Sequence, residues 1–230
     1  MIIYGKNVIK EAILNKRPIY KMYIDEKFKD NDFLNFLKEN NINYIKTNKG
    51  ELNNKTNNQV HQGVVADVKE YEYLTLEDLI IPNQAQRFLI LDGVEDPHNL
   101  GSIMRTAEAT KLDGIIVSRR NQVPLNATVA KVSSGAIEHV KVAQVNNINQ
   151  AIQTLKKENI WVIGTDDKAT HSYLEIPKDR SIAIVLGNEG QGIRPLVKQN
   201  CDILVKIPMY GKINSLNVSV AAALMMYATI

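Results

Sequence analysis

Cysteine is nearly absent from this chain of 230 residues, in which Cys201 is the only one. A single thiol cannot form an internal disulfide or a metal site built from several cysteines. We therefore expect a reduced, intracellular protein without a cysteine-based metal cluster. Aromatic residues are also scarce, at 6%, whereas 44% hydrophobic and 23% charged residues are ordinary for a globular protein. This composition excludes extensive disorder and fibrous repeats.

Long hydrophobic runs are missing as well. The longest apolar stretch, 218–226, is far shorter than the roughly 18 residues that a spanning helix needs, and Ser219 interrupts it. The N-terminus lacks the basic region, apolar core and cleavage site of a secretory signal. We therefore expect a cytoplasmic protein. Its formal net charge of +3 is only mildly basic and does not by itself indicate a nucleic-acid partner.

The first part of the chain differs in pattern from the rest. Residues 1–70 are rich in Lys and Asn, and their short apolar groups alternate between helical and strand spacing, which predicts a small α/β domain. Within it, 42–45 is predicted to be a strand and the Asn-rich stretch 47–58 a mobile loop. Residues 71–86 are typical of a linker, and the second domain is predicted to occupy 87–230.

The second domain is predicted to be an α/β fold built on a mainly parallel sheet. Its strand candidates are mostly apolar runs without polar alternation, which indicates burial on both faces. They lie at 88–91, 114–117, 140–145, 160–164, 182–186 and 203–207, and helical patterns separate them at 100–110, 148–157 and 215–227. In such sheets ligands bind beyond the carboxyl ends of the strands, so we expect the site in the loops that follow strands.

Two of these loops carry polar residues at the start of a predicted helix. Asn99 stands where an N-cap is expected, and Arg105 follows six residues later. Arg105 stands out because Arg is scarce in this chain and its guanidinium is the better clamp for a phosphate, although a solvated helix face explains it equally well. Asn214, Ser215 and Asn217 crowd the expected start of the C-terminal helix, where a single cap would suffice.

A third loop is rich in glycine. Its spacing is Gly187-x-x-Gly190-x-Gly192, with the carboxylate of Glu189 at the centre. Glycines allow a backbone to pass close to a ligand. The spacing is not that of a dinucleotide fingerprint, and no phosphate-binding loop of an ATPase is present, which disfavours a nicotinamide or ATP site.

Together and in this order, the three loops resemble the motifs of the SpoU (TrmH-like) branch of the SPOUT RNA methyltransferases. Any one motif alone would be a weak signal, but three in order are highly specific. The family's motifs 1, 2 and 3 are matched by 99–105, by 186–190, and by 207–209 with 214–219. Residues 4–12 and 61–66 are similar to the substrate-binding domain of the RlmB-like subgroup, whose members methylate a guanosine of large-subunit (23S) rRNA.

The resemblance implies a specific fold and methyl donor. The N-terminal domain would have a fold like that of a ribosomal protein, and residues 186–227 would be threaded into a deep trefoil knot, a rare exception to unknotted topology. S-Adenosylmethionine would bind in that knot, and no metal is implied. The implied contacts with it are Thr165, Gly187, Asn188, Ile207, Met209, Ser215 and Leu216.

The resemblance also implies catalytic roles. Arg105 would either accept the proton of the ribose 2′-hydroxyl or clamp a neighbouring phosphate, and the very high pKa of a guanidinium favours the clamp. Asn99, Glu189, Ser215 and Asn217 would orient the ribose, Arg105 and the loops. Family members are homodimers in which this arginine completes the site of the other subunit.

The sequence says less about which residues contact RNA and about which RNA is the substrate. The candidates for RNA binding are Lys6 and Arg17 in the first domain and Arg119 and Arg120 in the second. The N-terminal domain favours rRNA, because tRNA-specific relatives typically carry short helical extensions in its place. The alternatives are a guanosine of tRNA, an adenosine of rRNA, and a non-catalytic RNA-binding assembly factor. No membrane or DNA partner is expected.

Overall fold

The computed structural model describes residues 1–188, 190 and 192–230, so the predicted site residue Glu189 lies outside the described residues. The strands are β1 Ile2–Tyr4, β2 Ile19–Asp25, β3 Ile45–Thr47, β4 Val64–Val68, β5 Arg87–Asp92, β6 Gly114–Ser118, β7 Val142–Val145, β8 Trp161–Thr165, β9 His171–Ser172, β10 Ile182–Gly187 and β11 Ile203–Lys206. The helices are α1 Lys6–Leu14, α2 Asn31–Glu39, α3 Lys49–Lys55, α4 Leu76–Leu79, α5 Pro97–Ala109, α6 Ala127–Val132, α7 Ile148–Lys157, α8 Pro195–Asn200 and α9 Val218–Tyr227.

The first compact unit consists of Met1–Glu72 and Leu125–His139. Its sheet has the order β1-β4-β2-β3, in which β4 is antiparallel to both neighbours and β3 is parallel to β2. The apolar residues of α1 recur at helical spacing, so one face of this helix is buried. The sequence did not predict that Leu125–His139, which carries α6, packs with this unit. The domain limits stay a prediction.

Two predictions within the first unit are wrong. The predicted loop at 47–58 contains α3, because the Asn48 side chain caps it by accepting the Glu51 backbone N–H and because Leu52 is fully buried. The strand predicted at 42–45 begins only at Ile45. Asn41 has a φ of 56° and closes the C-terminus of α2, which delays the extended backbone.

The second unit, Tyr73–Pro124 with Val140–Ile230, confirms the α/β fold and the parallel sheet. The strand order is β7-β6-β5-β10-β8-β11-β9, and the registered pairs are parallel. Strands β5 and β10 form its centre and are buried apart from their first and last residues, respectively. The chain runs outward through β6 and β7 on one side, and it places β8 and β11 on the other. Such a reversal of strand order leaves a crevice at the carboxyl edge of the sheet.

Two predictions about where helices begin are wrong. Helix α5 begins at Pro97, because the Asp96 side chain accepts the backbone N–H of His98, so Asn99 is not its N-cap. Helix α9 begins at Val218 and not near Ser215, because Asn217 is the capping residue. The predicted linker 71–86 also contains regular structure, in the form of the short helix α4 with its own capping box.

No helix among the described residues is long and apolar enough to cross a membrane. The threading of residues 186–227 into a knot stays a prediction.

Candidate active site

A cavity of about 450 Å³ lies at the carboxyl ends of β8, β10 and β11. Volumes of this size are typical of small-molecule sites. The cavity brings together every residue that the sequence predicted to bind the methyl donor, namely Thr165, Gly187, Asn188, Ile207, Met209, Ser215 and Leu216. These residues come from three segments that are far apart in the chain, so their convergence depends on the tertiary fold. We call this the cofactor cavity.

The loop after β10 is shaped by a backbone contact that only glycine permits. A Cβ atom placed on Gly187 would stand 1.9 Å from the carbonyl carbon of Gly192. Asn188 holds the turn, because its side-chain amide donates to the Gly93 carbonyl at 3.0 Å and its side-chain oxygen accepts the Gly190 N–H at 2.8 Å. The loop is thereby tied to the end of β5, and its backbone groups line the cavity.

An ion pair that the sequence analysis missed also lines the cofactor cavity. Asp166 follows β8, and its carboxylate pairs with the Lys198 ammonium group of α8. Nearby, the hydroxyl of Thr165 donates to the Val185 carbonyl at 3.2 Å. Asp166 could have been proposed from its place directly after a strand, but nothing in the sequence indicated Lys198 as its partner.

Two predicted catalytic residues meet in a hydrogen bond between motifs 1 and 3. The Asn217 amide donates to the Asn99 side-chain oxygen at 3.0 Å, and Asn99 is buried in the first turn of α5. The Asn217 side-chain oxygen in turn accepts the backbone N–H of Ser219 at 2.9 Å. Asn217 therefore caps α9 and joins it to α5, while Ser215 lies on the wall of the cofactor cavity.

Arg105, the predicted central catalytic residue, lies on the exposed face of α5. Its neighbours Ile103 and Met104 are buried and fix that face of the helix. Within the part of the chain that the structure describes, Arg105 does not line the cofactor cavity. A single chain thus joins Asn99 to Asn217 by a hydrogen bond and places Ser215, but not Arg105, on the wall of the cofactor cavity.

A second cavity, of about 580 Å³, lies at the carboxyl ends of β5, β6, β7 and β10. We call it the polar cleft. It is lined by Asp92, Gly93, Glu95, Ser118, Arg120, Asn121, Asn146, Asn147, Ile148, Asn149, Asn188, Gly192 and Arg194. Asn188 and Gly192 also line the cofactor cavity, so the glycine loop separates the two.

An ion pair closes one wall of the polar cleft. The guanidinium of Arg194 donates to both carboxylate oxygens of Asp92, at 3.0 and 2.6 Å, and the Asp92 side chain is only 2% exposed. The hydrogen bond to Asp92 raises the pKa of Arg194 above its ordinary value. Because this pair joins β5 to the segment after the glycine loop, it holds the boundary between the two cavities in place.

The predicted RNA-binding residues have different surroundings. Arg119 and Arg120 are exposed. Lys6 is partly exposed and pairs with Asp30 at 2.6 Å. Arg17 is at odds with the prediction, because its side chain is only 7% exposed and pairs with Glu138 at 2.9 Å inside the first unit. Its guanidinium is therefore not accessible to a phosphate backbone.

Within the described part of the chain, Cys201 is not among the residues that line the cofactor cavity. Burial raises the pKa of its thiol to about 11, so the thiol stays protonated and unreactive at neutral pH. Its Sγ contacts the Val197 carbonyl at 3.3 Å. Among the described residues, no group of three or more His, Cys, Asp or Glu side chains is arranged to hold a metal ion.

Two family models match the chain. One, the SpoU rRNA Methylase family, covers residues 86–227, and the other, RNA 2′-O ribose methyltransferase substrate binding, covers residues 2–74. Among relatives, a protein named as a TrmH family tRNA/rRNA methyltransferase from Staphylococcus aureus (strain COL) is 45% identical over 233 residues, which is 98% of this chain and 94% of the relative.

Solved structures with this fold include an AdoMet-bound rRNA methyltransferase from Sinorhizobium meliloti. It matches 99% of this chain and 85% of its own, with a TM-score of 0.81 and 21% identity. A TrmH/SpoU tRNA-modifying enzyme from A. aeolicus matches less of the chain, at 67% of this chain and 78% of its own, with a TM-score of 0.58 and 26% identity.

Proposed function

Because the chain belongs to the SpoU family of RNA 2′-O-ribose methyltransferases, we propose that it transfers the methyl group of S-adenosylmethionine to a guanosine of 23S rRNA. The observation that carries the proposal is the cofactor cavity, which assembles every contact that the family motifs imply. Its walls combine apolar side chains such as Ile207 and Leu216 with backbone groups of the glycine loop, and this mixture suits a nucleoside with an apolar ring face.

The chemistry requires the protein to position a ribose and to help one proton leave. S-Adenosylmethionine supplies a methyl group that its own sulfonium charge activates. A ribose hydroxyl becomes a good nucleophile only when its proton is removed or strongly polarised. In this proposal, Asn99 and Asn217, which share a hydrogen bond, hold the loops around the ribose, and Ser215 offers a hydroxyl at the cavity wall.

Arg105 acts in this proposal as a clamp on the phosphate next to the methylated ribose. A guanidinium remains charged at any physiological pH, so it binds an anion far better than it accepts a proton. The released proton passes to phosphate or to water. Glu189, which belongs to the glycine loop, is proposed to orient this arrangement.

A homodimer accounts for the position of Arg105. Since Arg105 lies outside the cofactor cavity of its own chain, a second copy would supply it. Helix α9 and the last residue of the chain present apolar side chains to solvent, because Val220 and Tyr227 of the helix and Ile230 after it are each about half exposed. Exposed apolar groups in this number favour an interface between copies of the chain.

The first unit supports rRNA over tRNA as the substrate. Its residues match a substrate-binding domain, whereas the tRNA-modifying enzyme described above matches only 67% of the chain. The rRNA methyltransferase from Sinorhizobium meliloti matches 99% of it.

The test of the proposed function is a transfer assay with labelled S-adenosylmethionine and separate pools of unmodified rRNA and tRNA. We expect label in 23S rRNA, at the 2′-oxygen of a guanosine, when the product is mapped by alkaline hydrolysis and mass spectrometry. Label in tRNA alone, or on an adenosine, would contradict the proposal that a guanosine of 23S rRNA is the substrate. No label in either pool, with binding of the methyl donor confirmed by calorimetry, would favour a non-catalytic RNA-binding protein.

A variant tests the role of Arg105 within the same assay. We expect Arg105→Ala to lower kcat by at least about a hundredfold, because the charged clamp that holds the phosphate next to the reacting ribose is lost, while the Kd for S-adenosylmethionine stays unchanged. The control is Lys157→Ala, which removes an exposed positive charge from the end of α7. Full activity in Arg105→Ala would remove this residue from the mechanism.

A further inference from the structure

The polar cleft is built from all four loops that follow β5, β6, β7 and β10. The carboxyl edge of a parallel sheet is where α/β proteins bind their ligands. The proposed activity places the methyl donor at the other side of the glycine loop, so it leaves this larger cavity without a role. Its volume is sufficient for one nucleotide.

The described lining of the polar cleft contains four charged side chains, of which two form an ion pair with each other and two can contact a ligand. Asp92 and Arg194 neutralise each other through their two side-chain hydrogen bonds. The side chains of Arg120 and Glu95 are exposed, and within the part of the chain that the structure describes neither forms an ion pair. The cleft therefore offers one cation and one carboxylate to a ligand.

The rest of the lining consists largely of amide side chains and a helix end. Asn121 and Asn146 are exposed on the wall of the cleft. Asn147 caps α7 by accepting the N–H groups of Asn149 and Gln150, and the positive end of this ten-residue helix faces the cleft. Amide side chains pair with the edges of bases, whereas guanidinium groups and helix N-termini bind phosphates.

We propose that the polar cleft binds the guanosine that is methylated, unpaired from the RNA, with Arg120 on its phosphate and Glu95 on its base. This inference rests on the proposed function. Guanine presents two adjacent donors, N1–H and N2–H, on its Watson–Crick edge, and a carboxylate accepts both. Adenine presents one donor and one acceptor there, so a carboxylate selects guanine. Single-stranded RNA is commonly read in this way, through bases turned out of the stack.

The two cavities share a wall, so a guanosine bound in the polar cleft can lie close to the methyl donor, as the reaction requires. Asn188 and Gly192 line both the polar cleft and the cofactor cavity. A base held in the cleft therefore has its ribose beside the loop that borders the methyl donor. The Asp92–Arg194 pair positions that loop from the side of the cleft.

The experiment measures initial rates of methyl transfer to an unmodified 23S rRNA transcript as the RNA concentration varies. We expect Arg120→Ala to raise the KM for RNA by about tenfold, because one phosphate contact is lost. For the same reason, the plot of the logarithm of the RNA association constant against the logarithm of the salt concentration should become less steep by about one. Glu95→Gln is expected to reduce kcat/KM for the guanosine substrate and to raise it for a transcript that carries adenosine at the mapped position. The amide can donate to adenine, whereas the carboxylate cannot.

Matched controls are Lys157→Ala for the loss of positive charge and Glu158→Gln for the loss of a carboxylate, both at exposed positions of the second unit outside the cleft. Binding of S-adenosylmethionine, measured by calorimetry, verifies that each variant is folded. Wild-type activity with unchanged KM in Arg120→Ala and unchanged base preference in Glu95→Gln would overturn the assignment of the cleft alone. Absence of methyl transfer by the wild-type protein would overturn the proposed function as well.

Discussion

Gly187 shows how strictly a single position of the cofactor cavity is determined. The carbonyl carbon of Gly192 occupies the space that a side chain would need, so the two strands of the loop pass each other at backbone contact. Asn188 then pairs with Gly192 across this turn. The wall of the cavity is therefore made by backbone atoms, which explains why glycine and not a small polar residue stands at Gly187.

We expect Gly187→Ala to raise the Kd for S-adenosylmethionine by at least about tenfold and to lower the free energy of unfolding by about 1–3 kcal/mol, because the added methyl group forces the loop apart. Isothermal calorimetry and urea denaturation measure the two effects. Gly211→Ala is the matched control, since no atom of the described residues lies within 4 Å of the added Cβ there. Equal behaviour of the two variants would contradict the close backbone contact.

Most of the predicted contacts with the methyl donor could be found from the sequence because they belong to motifs 2 and 3, which have fixed spacing. Thr165 lies outside these motifs, and Asp166 and Lys198, which also line the cofactor cavity, were missed.

The residues of the polar cleft could not be predicted as a set, although Arg120 was singled out. Glu95 and Asn146 follow different strands, and only the strand order places β5 and β7 on either side of β6. The pairing of Arg17 with Glu138 was likewise hidden by a separation of more than a hundred positions.

At the scale of the elements, α5 shows which residue becomes the N-cap when two candidates lie close together in the sequence. Asp96 and Asn99 both precede apolar residues, but Pro97 fits only the first turn of a helix, and Asp96 therefore becomes the cap. Asn99 is freed by this choice to hydrogen-bond with Asn217. The Asn-rich stretch that contains α3 was predicted as a loop because asparagine disfavours helices, and the burial of Leu52 outweighs that propensity.

The segment Leu125–His139 is attached to the rest of the first unit by a buried polar cluster. Glu138 accepts from Arg17 at 2.9 Å and from the Tyr71 hydroxyl at 2.7 Å, and its side chain is only 3% exposed. The Arg17 guanidinium also stacks on the Tyr71 ring at 3.5 Å from its centroid. Burial and the negative charge of Glu138 raise the pKa of Tyr71, so its hydroxyl remains a hydrogen-bond donor.

We expect Glu138→Ala to lower the free energy of unfolding of the first unit by about 3–5 kcal/mol, because it leaves the Arg17 charge buried without a counter-ion. Urea denaturation followed by hydrogen exchange of α1 and α6 measures this loss. Glu72→Gln, which breaks an exposed pair with Lys69, is the matched control and should cost less than about 1 kcal/mol. A loss of that small size in Glu138→Ala would mean that the cluster is not structurally important.

At the scale of the whole molecule, the proposed dimer makes each active site depend on two chains. In this proposal, one chain would provide the cofactor cavity and the other would provide Arg105. Coexpression of Arg105→Ala and Gly187→Ala chains with different affinity tags tests this division. If the chains pair at random, half of the dimers are mixed, and each mixed dimer has one complete site, so we expect about a quarter of the wild-type activity.

The two variants purified separately serve as controls. With S-adenosylmethionine well below the wild-type Kd, each should retain at most about a tenth of the wild-type activity. If Arg105 acted within its own chain, every site in the mixed dimer would lack either the arginine or the cofactor cavity, and coexpression would restore no activity. Light scattering of the wild-type protein should give twice the mass of the 25.9 kDa chain.

The central strand pair of the second unit has a consequence for synthesis of the chain. Arg87 of β5 pairs in register with Ile182 of β10, so residues in two strands that lie side by side are 95 positions apart in the chain. At a translation rate of about 5–20 residues per second, β5 is made roughly 5–20 s before its partner. During that interval Phe88–Leu91 has an unpaired, apolar edge on the side of β10, and a nascent chain in this state would be a natural client of a ribosome-associated chaperone.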